Sequence, residues 1–175
     1  MAPALISIMA AFAFAGDASA TCWDHAASTY GVPAHLLYAV ASAESDLRPS
    51  ARNLSHIART GTYDIGLMQI NSGHLPRLRR FGIAETDLYV PCTNVMVGAW
   101  ILADLVFRHG LSWEAVGAYN AACTELRGQA CVAARTKYAW RVYRRLPNVQ
   151  QQPVAEPAPT PPEPSVFILS ARVSP

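Results

Sequence analysis

The segment from Asn94 to His109 (NVMVGAWILADLVFRH), which Gly110 closes, constrains the fold of this chain most. Its apolar residues lie on almost every side of a helix, and such a helix belongs in the middle of a protein core. The segment is shorter than the ~20 apolar residues that a membrane-spanning helix needs. With 175 residues, 51% of them hydrophobic, the chain has the size of one domain. No stretch alternates apolar and polar residues as a half-buried strand does, so we predict a mainly α domain.

Turn and capping residues place further helices around this segment. The expected helices cover about residues 23–30, the chain from Pro33 to before Pro49, residues 67–78, the segment that Ser112 caps, and residues 132–146. From the last helix we expect Val132, Trp140 and Tyr143 to contact the core.

The first 20 residues have the pattern of a secretory signal peptide. An apolar run, Ala4 to Ala15, is followed by the small residues Ala18-Ser19-Ala20, which predict cleavage after Ala20. The segment has no Lys or Arg, and an uncleaved anchor is the alternative. The run is too short to span a bilayer, which favours cleavage. A lipoprotein is disfavoured because Thr21 precedes Cys22.

All four cysteines remain after this cleavage, and an even number in an exported chain predicts two disulfides. Of the three possible pairings we favour Cys123 with Cys131, which closes a short loop, and Cys22 with Cys92. A zinc site is the competing interpretation, but the chain has no C-x-x-C pair and its five histidines are scattered. We therefore expect no metal and no cofactor.

The composition of the chain changes abruptly after Leu146. Residues 147–164 contain seven prolines, which predict a flexible, disordered tail over 147–175. Its apolar end, Val166 to Leu169 (VFIL), could dock on a partner or have no specific contact.

The net charge of the whole chain, only +2, argues against nucleic-acid binding. The two arginine clusters, Arg77-Arg79-Arg80 and Arg141-Arg144-Arg145, are expected on solvated faces.

Glu44 points with the apolar residues of its helix. At 100° per residue it shares a side with Leu37, Val40 and Leu47, whereas Asp46 faces away. Burial and the C-terminal end of the helix both disfavour the ionised carboxylate, so they raise the pKa of Glu44. A carboxylic acid held protonated in a cleft can serve as the general acid that breaks a glycosidic bond. The alternative is a glutamate that turns outward to solvent at the helix end.

Three motifs follow in order along the chain: ESDLRPSA from Glu44, GLMQIN from Gly66, and AYN from Ala118. In this order they resemble the motifs of family 1 lytic transglycosylases (SLT), bacterial murein-cleaving enzymes with a lysozyme-like (goose-type) α fold. The resemblance covers about residues 22–146, which divides the chain into a signal peptide (1–20), an SLT-like domain (21–146) and the tail (147–175). Within the family the chain is most similar to the small exported members that accompany type III or type IV secretion, conjugation or pilus systems. The residues that carry this closer similarity are Cys22-Trp23, Pro91-Cys92 with Asn94, and Gly98-Ala99-Trp100.

The resemblance implies a role for each site residue. Glu44 matches the catalytic acid, and the substrate-binding residues that it implies are Ser45 beside the acid, Met68 and Gln69 in the cleft wall, Tyr119 and Asn120 facing the carboxyl group, and Tyr138 near the cleft. The hydroxyl groups of Ser45 and Tyr119 can bond the acid without adding charge, and the amides of Gln69 and Asn120 match N-acetyl groups. Core packing is the alternative for Met68 and Tyr119. Asp46 and Ala122 depart from the frequent pattern of the family.

The implied reaction cleaves the β-1,4 bond between N-acetylmuramic acid and N-acetylglucosamine in peptidoglycan and yields a 1,6-anhydromuramoyl product. It takes place in the periplasm, where it opens the wall for a secretion, conjugation or pilus apparatus whose components are possible partners of the tail. One rival is a goose-type muramidase in which Asp64 helps a water molecule. Otherwise, Asp64 is expected to cap the helix that follows it. The other rival is a wall-binding assembly module.

Overall fold

α-Helices make up most of residues 18–147, the part of the chain that the computed structural model describes. The helices are α1 (Ala18–Tyr30), α2 (Ala34–Ser45), α3 (Ile57–Thr60), α4 (Leu75–Leu78), α5 (Pro91–His109), α6 (Trp113–Asn120) and α7 (Gly128–Tyr143). Three strands, β1 (Arg52–Asn53), β2 (Asp64–Ile65) and β3 (Ile70–Asn71), form an antiparallel sheet in the order β1-β2-β3. The predicted mainly α fold is confirmed. Most of the predicted signal peptide and the tail after Pro147 lie outside the described residues.

Helix α5 is the central helix, as its composition predicts. It packs against α1 and α6, and its side chains Val95 and Leu102 are fully buried. Gly98 lets α5 approach the chain between β2 and β3, because a Cβ at this position would lie 2.3 Å from the sulfur of Met68. Helix α7 packs against α6 and α2, so it closes the domain over the end of α2.

The helix predicted for residues 67–78 is largely wrong. Residues 67–69 form a turn, β3 follows, and only a 3₁₀ turn (Ser72–His74) and the short helix α4 remain. The turn contains left-handed residues, Gly66 at φ +75° and Gln69 at φ +49°, which a right-handed helix cannot include. The small sheet was not predicted, because strands of two residues carry no recognisable alternation.

The expected core contacts of α7 are wrong as well. Val132, Trp140 and Tyr143 are 49%, 55% and 51% exposed, and the buried residues of the helix are Tyr138, Ala139 and Val142. At 100° per residue, Trp140 lies 200° from Tyr138, on the far side of the helix. Trp140 and Tyr143 instead form an exposed aromatic group with Trp113.

Two disulfides connect parts of the chain that the helices leave separate. Cys22 in α1 pairs with Cys92 in α5, and Cys123 after α6 pairs with Cys131 in α7, the pairing that the sequence favours.

Helix α1 begins five residues earlier than predicted and continues across the expected cleavage point after Ala20. Within residues 18–147, no helix has the length and apolar character to cross a membrane.

Candidate active site

Glu44 lies in the last turn of α2, at the centre of a cleft. Its Oε1 accepts a hydrogen bond of 2.5 Å from the hydroxyl group of Tyr138 on α7. Burial raises the pKa of Glu44 to about 7, although the Tyr138 hydrogen bond and the charge of Arg141 lower it. The charge of Asp64 adds to the rise. Near neutral pH, the carboxyl group therefore exists in both its protonated and its ionised form, as a group that gives up and regains a proton requires.

Tyr138 holds the acid in position. Its side chain is buried, and burial together with the neighbouring Glu44 raises the pKa of its phenol well above 10. The hydroxyl group thus remains a hydrogen-bond donor at all physiological pH values. The arrangement fixes one oxygen of Glu44 and leaves the other oxygen free of any hydrogen bond from the described part of the chain.

The turn between β2 and β3 contributes Gln69 to the lining of the cleft. Gly66 is required there, because a Cβ would lie 2.3 Å from both Asn94 Nδ2 and the carbonyl oxygen of Leu88. Gln69 adopts a left-handed conformation, and its amide nitrogen donates to the carbonyl oxygens of Gly66 and Ala51 at 2.8 and 3.3 Å. The turn therefore presents Gln69 to the cleft in one defined orientation.

Buried Asn94 attaches this turn to α5. Its Oδ1 accepts from the Met68 amide at 2.7 Å, and its Nδ2 donates to the carbonyl oxygens of Ile65 and Leu88 at 3.0 and 2.7 Å. The side chain thus hydrogen-bonds three backbone groups of the turn and of the segments beside it. Sequence reasoning used Asn94 only as part of a resemblance and did not anticipate this function.

Ser45 and Tyr119 bond the same turn rather than the acid. Ser45 Oγ donates to the carbonyl oxygen of Leu67 at 2.7 Å, and the Tyr119 hydroxyl group donates to that of Met68 at 3.0 Å. The expectation that these hydroxyl groups bond Glu44 is therefore wrong. The side chain of Met68 is fully buried against Gly98, so it belongs to the core and not to the cleft wall. Both hydroxyl groups orient the chain that carries Gln69.

The cleft has two halves that meet at Glu44. One half has a volume of about 650 Å³ and the other about 830 Å³. Residues that line both halves are Glu44, Asn53, Asp64, Gln69 and Asn120. Among the predicted site residues, Glu44, Gln69, Tyr119 and Asn120 thus line the cleft, and Tyr138 bonds Glu44. The structure also adds Asn53, Arg48 and Arg141, none of which was predicted as a site residue; Arg48 lies within the first motif, and Arg141 was expected on a solvated face.

Asp64 lies in β2 and does not cap a helix, contrary to the expectation. Its Oδ1 accepts from the Asn71 amide at 2.8 Å, and its Oδ2 accepts from the Asn53 amide at 3.1 Å. His56 Nε2 lies 3.6 Å from Oδ1. Both oxygens of this second carboxylate are therefore occupied by neighbouring side chains. Over the described ranges, no three His, Cys, Asp or Glu side chains are grouped so that they could hold a metal ion.

Comparison with known proteins assigns the chain to a family. Residues 21–139 match the transglycosylase SLT domain. The chain belongs to the SLT family. It is a peptidoglycan lytic transglycosylase, which confirms the family and enzyme class that its three motifs predict.

Several SLT relatives are similar over most of their length. Invasion protein IagB of Salmonella typhi is 43% identical over 137 residues, which cover 76% of this chain and 81% of that protein. Protein IpgF of Shigella flexneri is 41% identical over 127 residues, 72% of this chain and 79% of that protein. The X polypeptide of Escherichia coli is 41% identical over 129 residues, 72% of each chain.

A solved structure shares the fold of this SLT domain. It is an inactive mutant of the lytic transglycosylase Slt from Pseudomonas aeruginosa, with a TM-score of 0.55 and 23% sequence identity. The match covers 74% of this chain and 23% of the longer Slt chain. The lysozyme-like SLT fold is thus confirmed.

Proposed function

We propose that Glu44 is the general acid of a lytic transglycosylase that cleaves the β-1,4 bond after N-acetylmuramic acid. Glu44 donates its proton to the glycosidic oxygen as the bond between C1 and this oxygen breaks. The C6 hydroxyl group of the same muramoyl ring then attacks C1 and returns its proton to the Glu44 carboxylate. The product is a 1,6-anhydromuramoyl end, and no water or cofactor is consumed.

The hydrogen bond from Tyr138 to Glu44, inside a cleft that gives the acid a pKa of about 7, is the observation that carries this proposal. A group of this pKa can act first as acid and then as base near neutral pH. The second step is intramolecular, and bringing the C6 hydroxyl group close to C1 supplies a large effective concentration.

The decisive experiment is mass spectrometry of sugars released from purified peptidoglycan by the chain from residue 21. Glu44→Gln retains the shape of the side chain but has no proton to give, so we expect at least a ~100-fold loss of anhydromuropeptides. A melting temperature of Glu44→Gln no lower than that of the wild type would exclude misfolding. Product formation by Glu44→Gln at the rate of the wild type would refute the proposal.

Hydrolysis of the same bond is the second candidate, since Asp64 lines the cleft together with Glu44. A hydrolase leaves a reducing end, which the same mass spectra distinguish from an anhydro end. Two neighbouring amides engage Asp64, which argues against its activating water. Asp64→Asn is therefore expected to retain anhydro products. Reducing ends that disappear with Asp64→Asn would establish the muramidase instead.

We also propose that the enzyme is exported to the periplasm and opens the wall locally for a secretion, conjugation or pilus apparatus. The two disulfides, which suit an oxidising compartment, and the name of the invasion protein IagB support this role. Secretion by a deletion strain should be restored by the wild-type gene and not by Glu44→Gln. Full restoration by Glu44→Gln would favour the wall-binding module, and secretion unaffected by deletion of residues 147–175 would exclude docking through the tail.

A further inference from the structure

The two halves of the cleft differ in charge. The smaller half is lined by Arg48, Arg52 and Arg141 in addition to the residues at the junction, and we name it the arginine half. The other half is lined mainly by neutral side chains such as Thr60, Tyr119 and Leu126. Its charged members, Arg59 and Glu125, have opposite signs. A ligand in the cleft therefore meets excess positive charge on one side of Glu44 only.

Within the described residues, two of these arginines form no ion pair with a carboxylate. Arg48 is exposed, and its Nε donates to the carbonyl oxygen of Ser45 at 2.9 Å. The guanidinium carbon of Arg141 lies 4.8 Å from the centre of the Tyr138 ring. Among residues 18–147, neither has a carboxylate oxygen within 4.0 Å. Arg52, in contrast, stacks on Tyr63 and lies 3.9 Å from Glu85.

A cation beside the acid disfavours the proton that catalysis needs. The charge of Arg141 lowers the pKa of Glu44, in opposition to the burial that raises it. A neutral residue on α7 would leave the acid protonated up to a higher pH. Arg141 therefore has a cost at this position, which binding of an anionic part of the substrate would offset.

The glycan backbone of peptidoglycan offers hydroxyl and N-acetyl groups, which are neutral. Its carboxylates belong to the stem peptides on the muramoyl rings, and of the two rings that the bond to be cleaved joins, only one bears a stem peptide. Guanidinium groups bind carboxylates through paired hydrogen bonds, which fits an arginine pair on one side of Glu44. We propose that Arg48 and Arg141 bind a stem-peptide carboxylate, so that the enzyme prefers peptide-bearing strands. This inference rests on the proposed cleavage of peptidoglycan at Glu44.

The test compares strands that bear stem peptides with the same strands after an amidase has removed the peptides and the lactyl carboxylates that this exposes have been amidated. It is made near pH 5, below the pKa of Glu44, where stem-peptide carboxylates remain ionised. We expect Arg141→Gln and Arg48→Gln each to lower the ratio of kcat/KM for peptide-bearing over bare strands about three- to fivefold, through KM. Arg144→Gln, an exposed arginine on the same segment that does not line the cleft, should leave the ratio unchanged.

In a second arm of the test, the peptide carboxylates are chemically amidated. The wild type and Arg141→Gln should then have the same ratio of kcat/KM for peptide-bearing over bare strands. An equal loss by Arg141→Gln on both kinds of strand would overturn the inference, because Arg141 would then act on Glu44 alone. If the wild type cleaves neither strand, the proposed function fails. Sedimentation of Glu44→Gln, with and without Arg141→Gln, on both strands then measures the preference directly, and equal binding to both would refute it.

Discussion

At the scale of single residues, two opposing effects set the pKa of the Glu44 carboxyl group. Burial keeps the proton on the acid, whereas the Tyr138 hydroxyl group stabilises the ionised form. The hydrogen bond thus limits the rise in pKa while it fixes the direction of the acid. Replacing this one tyrosine should therefore change both the orientation and the pKa of Glu44, and the two changes can be measured separately.

The rate of cleavage should depend on the protonation of Glu44. Because the acid must carry its proton and has a pKa of about 7, we expect kcat to fall as the pH rises through about 7. The measurement is kcat with saturating glycan strands across this range. A rate that stays constant from about pH 6 to about pH 8 would contradict the assignment of Glu44 as the acid.

Tyr138→Phe should have two separable effects. Loss of a hydrogen bond that favours the carboxylate raises the pKa of Glu44, so the decline in kcat moves to higher pH. Loss of orientation lowers kcat about tenfold at pH values below this decline. Tyr143→Phe, an exposed tyrosine on the same helix, serves as the control. A shift to lower pH would show that the hydrogen bond favours the protonated acid instead.

At the scale of single residues, a functional side chain is predictable from the sequence where it interrupts a regular apolar pattern. Glu44 interrupts an apolar helix face, and that anomaly is visible without a structure. The hydroxyl groups of Ser45 and Tyr119 carry no comparable signal, since a hydroxyl group can bond any acceptor that folding brings near. Their acceptors are backbone oxygens of Leu67 and Met68, one of them 51 residues away in the chain.

The turn between β2 and β3 is the element that positions the cleft wall. Buried Asn94, Ser45 and Tyr119 hold it by side-chain hydrogen bonds to its backbone. A helix was predicted over residues 67–78, but positive φ angles at Gly66 and Gln69 prevent one at the start of this segment. By contrast, α5 and α6 were predictable, since composition and the Ser112 cap determine them locally.

Asn94→Ala tests the dependence of the cleft on this element. The substitution removes the three hydrogen bonds to the Met68 amide and two carbonyl oxygens, so we expect a loss of about 3 kcal/mol in the free energy of unfolding. Activity should fall as well, because Gln69 loses its support. Leu102→Ala on the same helix should cost a similar ~3 kcal/mol yet retain kcat. Equal kcat values for both variants, measured on folded protein, would show that Asn94 is purely structural.

At the scale of the whole molecule, a protonated acid in the native state links stability to pH. The pKa of Glu44 is higher in the folded chain, about 7, than its ordinary value of 4.5, so the folded state binds the proton more tightly. Its contribution to stability is fully present below about pH 4.5 and is lost as the pH rises to about 7.

Glu44→Gln should remove this pH dependence. Relative to the wild type, the variant should gain on the order of 2 kcal/mol in the free energy of unfolding between about pH 4.5 and about pH 7, and no more at higher pH. Denaturant unfolding at several pH values measures the difference. Glu125→Gln, an exposed glutamate, is the control. A constant difference across this range would mean that burial does not raise the pKa of Glu44.

The end of α2 is fastened by a residue close to the end of the domain. Arg145 Nη1 donates to the carbonyl oxygen and, at 3.0 Å, to the hydroxyl group of Ser42, and it pairs with Asp46. These contacts flank Glu44 in the chain, whereas Arg145 lies just before the tail. Any tension on the chain after Pro147 consequently reaches Leu146 and Arg145 first. An enzyme tethered by its tail would feel a mechanical load at the contacts on either side of its catalytic acid.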